Sequence, residues 1–224
     1  MQESINKACA NAKKVVAYNH ERYIALLATE NKQKGIFEDF YVQIGQELKL
    51  FSFPSWINDS NPSFAPKIFY YEPNQYETDN RDLIVVALTT GTGSGFHQEE
   101  VHVFRRGYDH LVEYKVEDPI EAIKKTAATR LTTKQAAVEV GKVTSIIDIE
   151  WVGLTPEQIF DDVAWELMTH YQLEGDQLVA EVGGRVTLSH FIGEMKVTYC
   201  FKDGKYKVNS MQFHPIDHQA LCSN

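Results

Sequence analysis

Residues 177–213 most constrain what this chain can fold into: short apolar-alternating runs are punctuated by Gly183-Gly184 and by Asp203-Gly204. An Asp-Gly pair suits a type I′ hairpin, because both turn residues must accept positive φ and the twist of that turn matches paired strands. Residues 195–202 and 205–213 on either side of it are therefore predicted to pair. With residues 177–182 they form a C-terminal antiparallel meander, Gly183-Gly184 being read as a further turn.

Upstream, β-like runs recur at residues 15–17, 23–28, 37–44, 48–53, 67–71, 83–88, 99–104 and 111–116, broken by polar, Gly or Pro segments. Ser4 is placed to cap a short first helix with Ile5, Ala8, Cys9, Ala12 and Val16 at helical spacing. The punctuation changes at Asp118-Pro119-Ile120-Glu121, an N-cap, a Pro at the first helical position and a first-turn acid, which predict a helix to about Thr129. Residues 136–149 then read as strands interrupted at Gly141-Lys142. Thr155-Pro156-Glu157-Gln158 carries a capping box and predicts a second helix, with Ile159, Phe160, Val163, Ala164, Leu167 and Met168 as its apolar stripe. The expected class is α+β, with a mainly antiparallel β N-terminal half followed by two helices packed on the meander. A soft boundary near Asp118 divides residues 1–117 from residues 118–224.

Composition removes whole classes of function. Lys and Arg number 22 against 31 Asp and Glu, a formal charge of −9, so the clustered cation that nucleic-acid binding requires is missing. The longest apolar run, Leu83 to Leu88, is far short of the roughly 20 residues of a membrane span. Residues near Met1 lack the apolar core of a secretory signal. Cys9, Cys200 and Cys222 cannot all pair within one chain, and they form no zinc ladder with histidine. No cofactor and no catalytic residue is predicted, since the Gly-x-Ser-x-Gly, His-Glu-x-x-His and kinase signatures are all absent.

The segment from Thr89 to Val103 is the most unusual. Gly91, Gly93 and Gly95 follow a strand and can expose backbone N–H groups to an anion. The helix and lysine that complete a phosphate loop do not follow, so a wide hairpin is the competing reading. His97, Glu99 and His102 suggest a metal site, because imidazole and carboxylate ligate zinc and related ions. Strand alternation puts His97 and Glu99 on one face and Glu100 and His102 on the other, so convergence requires a bulge or a partner from elsewhere. Residues 72–82 are acidic but fail the spacing of a calcium loop. Among the aromatic residues, Trp56, Tyr70, Tyr71 and Tyr76 are the expected surface rings, and Trp56 and Tyr76 join the glycines and His97 as candidate ligand contacts.

From Leu83 to Phe104, with its Gly-Thr-Gly loop and Glu-Glu-x-His-Val, the sequence resembles uncharacterised secreted or membrane-anchored proteins of Bacillus-type bacteria. Residues 191–199 carry a second likeness. The resemblance implies an extracytoplasmic or cell-envelope setting, with any leader upstream of Met1, and brings no established activity. The expected function is a non-enzymatic binding protein that takes a protein or a cell-wall glycan on its β-rich N-terminal half. The alternative is a metal-assisted hydrolase centred on His97, Glu99 and His102, and a third reading is a cytoplasmic interaction module.

Overall fold

A computed structural model describes residues 13–45, 49–72, 82–106 and 111–216. The protein is mostly β, 63% strand against 7% helix, and the described residues contain one α-helix. The expected two-helix α+β arrangement is thereby corrected. At Thr155 the Gln158 half of the capping box forms, Thr155 N–H donating to Gln158 Oε1, while the Gln158 N–H donates to the Thr155 carbonyl and closes a single turn. Beyond it, the Phe160 N–H donates to the Val186 carbonyl, and Ala164 and Arg185 exchange both backbone hydrogen bonds. These long-range partners take the donors that a helix would use locally, so tertiary pairing overrides propensity. The first expected helix falls largely on residues 1–12, outside the described residues, and its last positions lie in a strand.

By packing, the chain divides into two units, Met1–Thr92 with Glu99–Tyr114 and Gly93–Gln98 with Lys115–Asn224. In the first, β1 (Lys14–Asn19), β2 (Ile24–Asn31), β3 (Ile36–Ile44) and β4 (Lys49–Phe53) form an antiparallel sheet in chain order, with the short β5 (Asn58–Asp59) also on β3. A second sheet contains β6 (Lys67–Tyr71), β7 (Leu83–Gly93), β8 (Phe96–Arg106) and β9 (Leu111–Tyr114). Alternate residues Ile24, Leu26 and Ala28 of β2 share a core with Phe40 and Val42 of β3 and with Ile84, Val86 and Leu88 of β7. The buried Asn58 stitches loop to strand: its side chain accepts from the Thr89 N–H at 2.6 Å and donates to the Phe64 carbonyl at 2.9 Å.

Tyr70 on β6 has a titration consequence. Burial, with a hydrogen bond to Asp82, pushes its phenol up to about 12. A tyrosine in the unfolded chain ionises near pH 10. The unfolded state therefore loses its proton first, and the stability that Tyr70 contributes below about pH 10 is lost as pH rises toward 12. Tyr70→Phe is expected to flatten the decline in urea midpoint between about pH 9 and about pH 11; equal slopes in both proteins would contradict this.

The second unit begins with α1 (Pro119–Thr126), which ends three residues before the expected limit because Ala127 is extended and opens β10 (Ala127–Leu131). Asp118 caps it, accepting from the N–H groups of Ile120 and Glu121 at 2.8 and 3.0 Å. Asp118→Ala should cost about 1 kcal/mol, read as a lowered thermal midpoint at neutral pH; an unmoved midpoint would deny the cap any part in stability. β10, β11 (Gln135–Val140) and β12 (Val143–Asp148) form a small antiparallel sheet.

The meander is present as β13 (Met168–Glu174), β14 (Gln177–Arg185), β15 (Phe191–Lys202) and β16 (Lys205–Pro215), all antiparallel neighbours in chain order. Asp203 and Gly204 have φ of 53° and 75°, and Lys202 pairs with Lys205, the two-residue hairpin expected. Gly183-Gly184 does not turn the chain: β14 runs through to Arg185, and the reversal falls at residues 186–190. One face of this sheet, with Leu178, Ala180, Val182, Met195 and Val197, is buried. The other carries a cross-strand row of His170, Glu181, Lys196 and Gln212, four residues in successive register.

Candidate metal centre

The pleat of β8 sends His97 and Glu99 to the same face. β13 pairs in parallel with the start of β8, Met168 opposite His97 and Thr169 opposite Gln98. The junction is fixed by two further bonds, His97 N–H to the Leu167 carbonyl at 2.9 Å and Gln98 Nε2 to the Glu166 carbonyl at 2.8 Å. Along β13, Thr169 and Tyr171 are buried, so Met168 and His170 point to the opposite side, half-buried. The His170 ring stacks on that of His97, with centroids 4.3 Å apart and planes 23° from parallel. His97, Glu99 and His170 each offer one ligand atom, and these atoms lie within 4.8 Å of one another. The spacing of His97 and Glu99 belongs to one continuous strand, and His170 is brought in by that strand's own hydrogen-bonded neighbour.

Glu99 is the most buried member, its side chain 1% exposed, and Lys67 Nζ stands 2.6 Å from its Oε1. A lone carboxylate in that position would be costly, and the half-exposed ammonium offsets much of the charge. Two imidazoles and one carboxylate form a ligand set suited to a borderline divalent ion such as Zn2+ or Fe2+. Three protein ligands also leave coordination positions for water or another ligand, in contrast to the closed four-ligand shell of a structural zinc site. On the same sheet face a groove of about 350 Å³ is lined by Glu181, Glu194, Lys196, Gln212 and His214 among others.

The other residues singled out in the sequence are dispersed. His102 is five residues from His97 along β8, an odd separation that puts it on the opposite face. There it is 7% exposed, stacked on Trp56 with centroids 4.0 Å apart, with Nδ1 2.7 Å from Glu113 Oε1. It is therefore not a third ligand beside His97 and Glu99. Trp56 is no surface ring either: 5% exposed, it stacks on Phe53 at 4.1 Å and packs near Phe40 and Phe104. Tyr76 lies outside the described residues. Gly91 and Gly93 continue β7, so the glycine-rich segment is a tight hairpin that turns at Ser94-Gly95, with Gly95 at φ of 72°.

His170 is not among the candidates that the sequence marks, because the predicted helix extends through Met168 and His170 stands just beyond it. A signal was present in the alternation of Thr169, Tyr171 and Leu173 with Met168, His170, Gln172 and Glu174, a period of two that marks a half-buried strand. Lys67 was equally silent, since its partner Glu99 stands 32 positions further along the chain. Comparison of the chain with protein families, with characterised proteins and with solved structures returns no match.

Proposed function

We propose that this protein binds a divalent transition-metal ion through His97, Glu99 and His170. The observation that carries the reading is the convergence of two imidazoles and one carboxylate, with ligand atoms within 4.8 Å, on two hydrogen-bonded strands. Strands are stiff supports, so little chain ordering accompanies binding. Coordination requires neutral imidazole and ionised carboxylate, and affinity falls as the solution is acidified. Trp56, one of the rings expected to line a binding surface on the N-terminal half, is part of the core. The binding site is read instead at β8 and β13.

Metal-assisted hydrolysis is the second reading. It is favoured by a set of three ligands among the described residues, which would leave a position for a water to be activated. Isothermal titration of Zn2+ into chelator-stripped protein tests the primary reading, with one ion per chain expected and weaker binding at lower pH. Absence of saturable binding, or a stoichiometry and affinity unchanged on removal of His97, would contradict it.

A further inference from the structure

The second unit buries a guanidinium that has no counter-charge among the described residues. Arg185, 6% exposed, lies over the Phe191 ring at 4.5 Å. Its Nη1 donates to the Leu188 carbonyl, its Nη2 meets the Met168 thioether at 3.0 Å, and its Nε has no hydrogen-bond partner. Among the described residues no carboxylate pairs with it, and burial alone lowers its proton affinity. An isolated buried cation is expensive, and a thioether is a weak acceptor. The chain nevertheless keeps room for it. A Cβ on Gly95 would fall 2.5 Å from Nη1 and 2.9 Å from the Leu188 oxygen, at a φ of +72° that already disfavours a side chain. A Cβ on Gly183 would fall 2.6 Å from Cε1 of the Phe191 ring on which the guanidinium rests.

Nε and Nη2 form one edge of the guanidinium, the edge that takes both oxygens of a carboxylate or phosphate in parallel hydrogen bonds. In Arg185 that edge meets, among the described residues, only the sulfur of Met168. The structure assigns the Nε/Nη2 edge of Arg185 as a binding site for an oxyanion, a carboxylate or phosphate group that displaces the Met168 thioether. Residues 187–190 adjoin it through Leu188 and present further polar groups: Thr187 Oγ1 accepts from the N–H groups of Ser189 and His190 and lies 2.8 Å from His190 Nδ1. Met168 is also the register partner of His97, so the oxyanion would stand one side chain from the proposed metal ligands. The anion site stands on Arg185 and does not depend on a metal.

The test is made on chelator-treated full-length protein, following the Arg185 Nε–H resonance during separate titrations with inorganic phosphate and with acetate. A saturable shift of that resonance, absent from other arginines, is expected with at least one anion, and the stronger of the two identifies the class. Because Arg185→Gln risks misfolding, Met168→Ala is the second variant. Removing the competing sulfur should tighten anion binding several-fold. An Nε–H resonance that neither anion moves, or anion affinity unchanged in Met168→Ala and in a folded Arg185→Gln, would overturn the assignment. Both results are independent of whether Zn2+ binds.

Discussion

His170→Ala is expected to weaken Zn2+ binding by at least about 100-fold, since loss of even an outer-shell partner of a metal ligand costs 10–100-fold. His102→Ala is the informative contrast. His102 looks like the natural third ligand in sequence, but it stacks on Trp56 and faces Glu113, away from His97 and Glu99. Its replacement should lower stability by removing a buried ring contact and leave metal affinity within about twofold of the parent, a difference under 0.5 kcal/mol. Competition of each variant with a chromophoric zinc chelator, after circular dichroism has shown it folded, measures both. Equal affinities for His170→Ala and the parent, or a larger loss from His102→Ala, would reverse the assignment of the third ligand.

Gly193→Ala is expected to destabilise the protein by about 3 kcal/mol, at the upper end of overpacking costs. Gly193 lies opposite Pro215 where β15 meets the end of β16. A Cβ there would overlap the His214 carbonyl oxygen and fall 2.6 Å from the Phe213 ring and 2.9 Å from Pro215 Cα. Two of these three neighbours are backbone, which cannot rotate aside, so the end of β16 would have to leave the sheet. Gly204→Ala isolates the backbone term, because Gly204 has φ of +75° with nothing within 4 Å of its added Cβ. It should cost only about 1–2 kcal/mol, the ordinary penalty of a left-handed residue with a side chain. Urea midpoints for the two variants decide the matter: comparable losses would mean that the crowding at Gly193 is not what requires a glycine.

Local chemistry in the sequence located the elements whose determinants are local. Asp118 caps α1 as its spacing implies, and Asp203-Gly204 makes the hairpin that the type I′ requirement predicts. The Thr155 box was equally good locally and still gave only one turn, because Val186 and Arg185, more than 20 residues downstream, supply the hydrogen-bond partners. Strand alternation correctly separated His97 and Glu99 from His102 and left the site one ligand short. The missing ligand comes from β13 by a parallel pairing between Met168 and His97, 71 positions apart by their numbers, and no local pattern encodes such a register. Aromatic residues misled for a related reason: the sequence surroundings of Trp56 are loop-like, whereas its ring lies between Phe53 and His102.

Zinc K-edge X-ray absorption on protein loaded with one equivalent of Zn2+ reads the ligands of the proposed His97, Glu99 and His170 centre. A first shell of nitrogen and oxygen at about 2.0–2.1 Å is expected, with outer-shell scattering from two imidazole rings that disappears in the His97→Ala, His170→Ala double variant. A first shell without imidazole scattering, or a spectrum that the double substitution leaves unchanged, would contradict it.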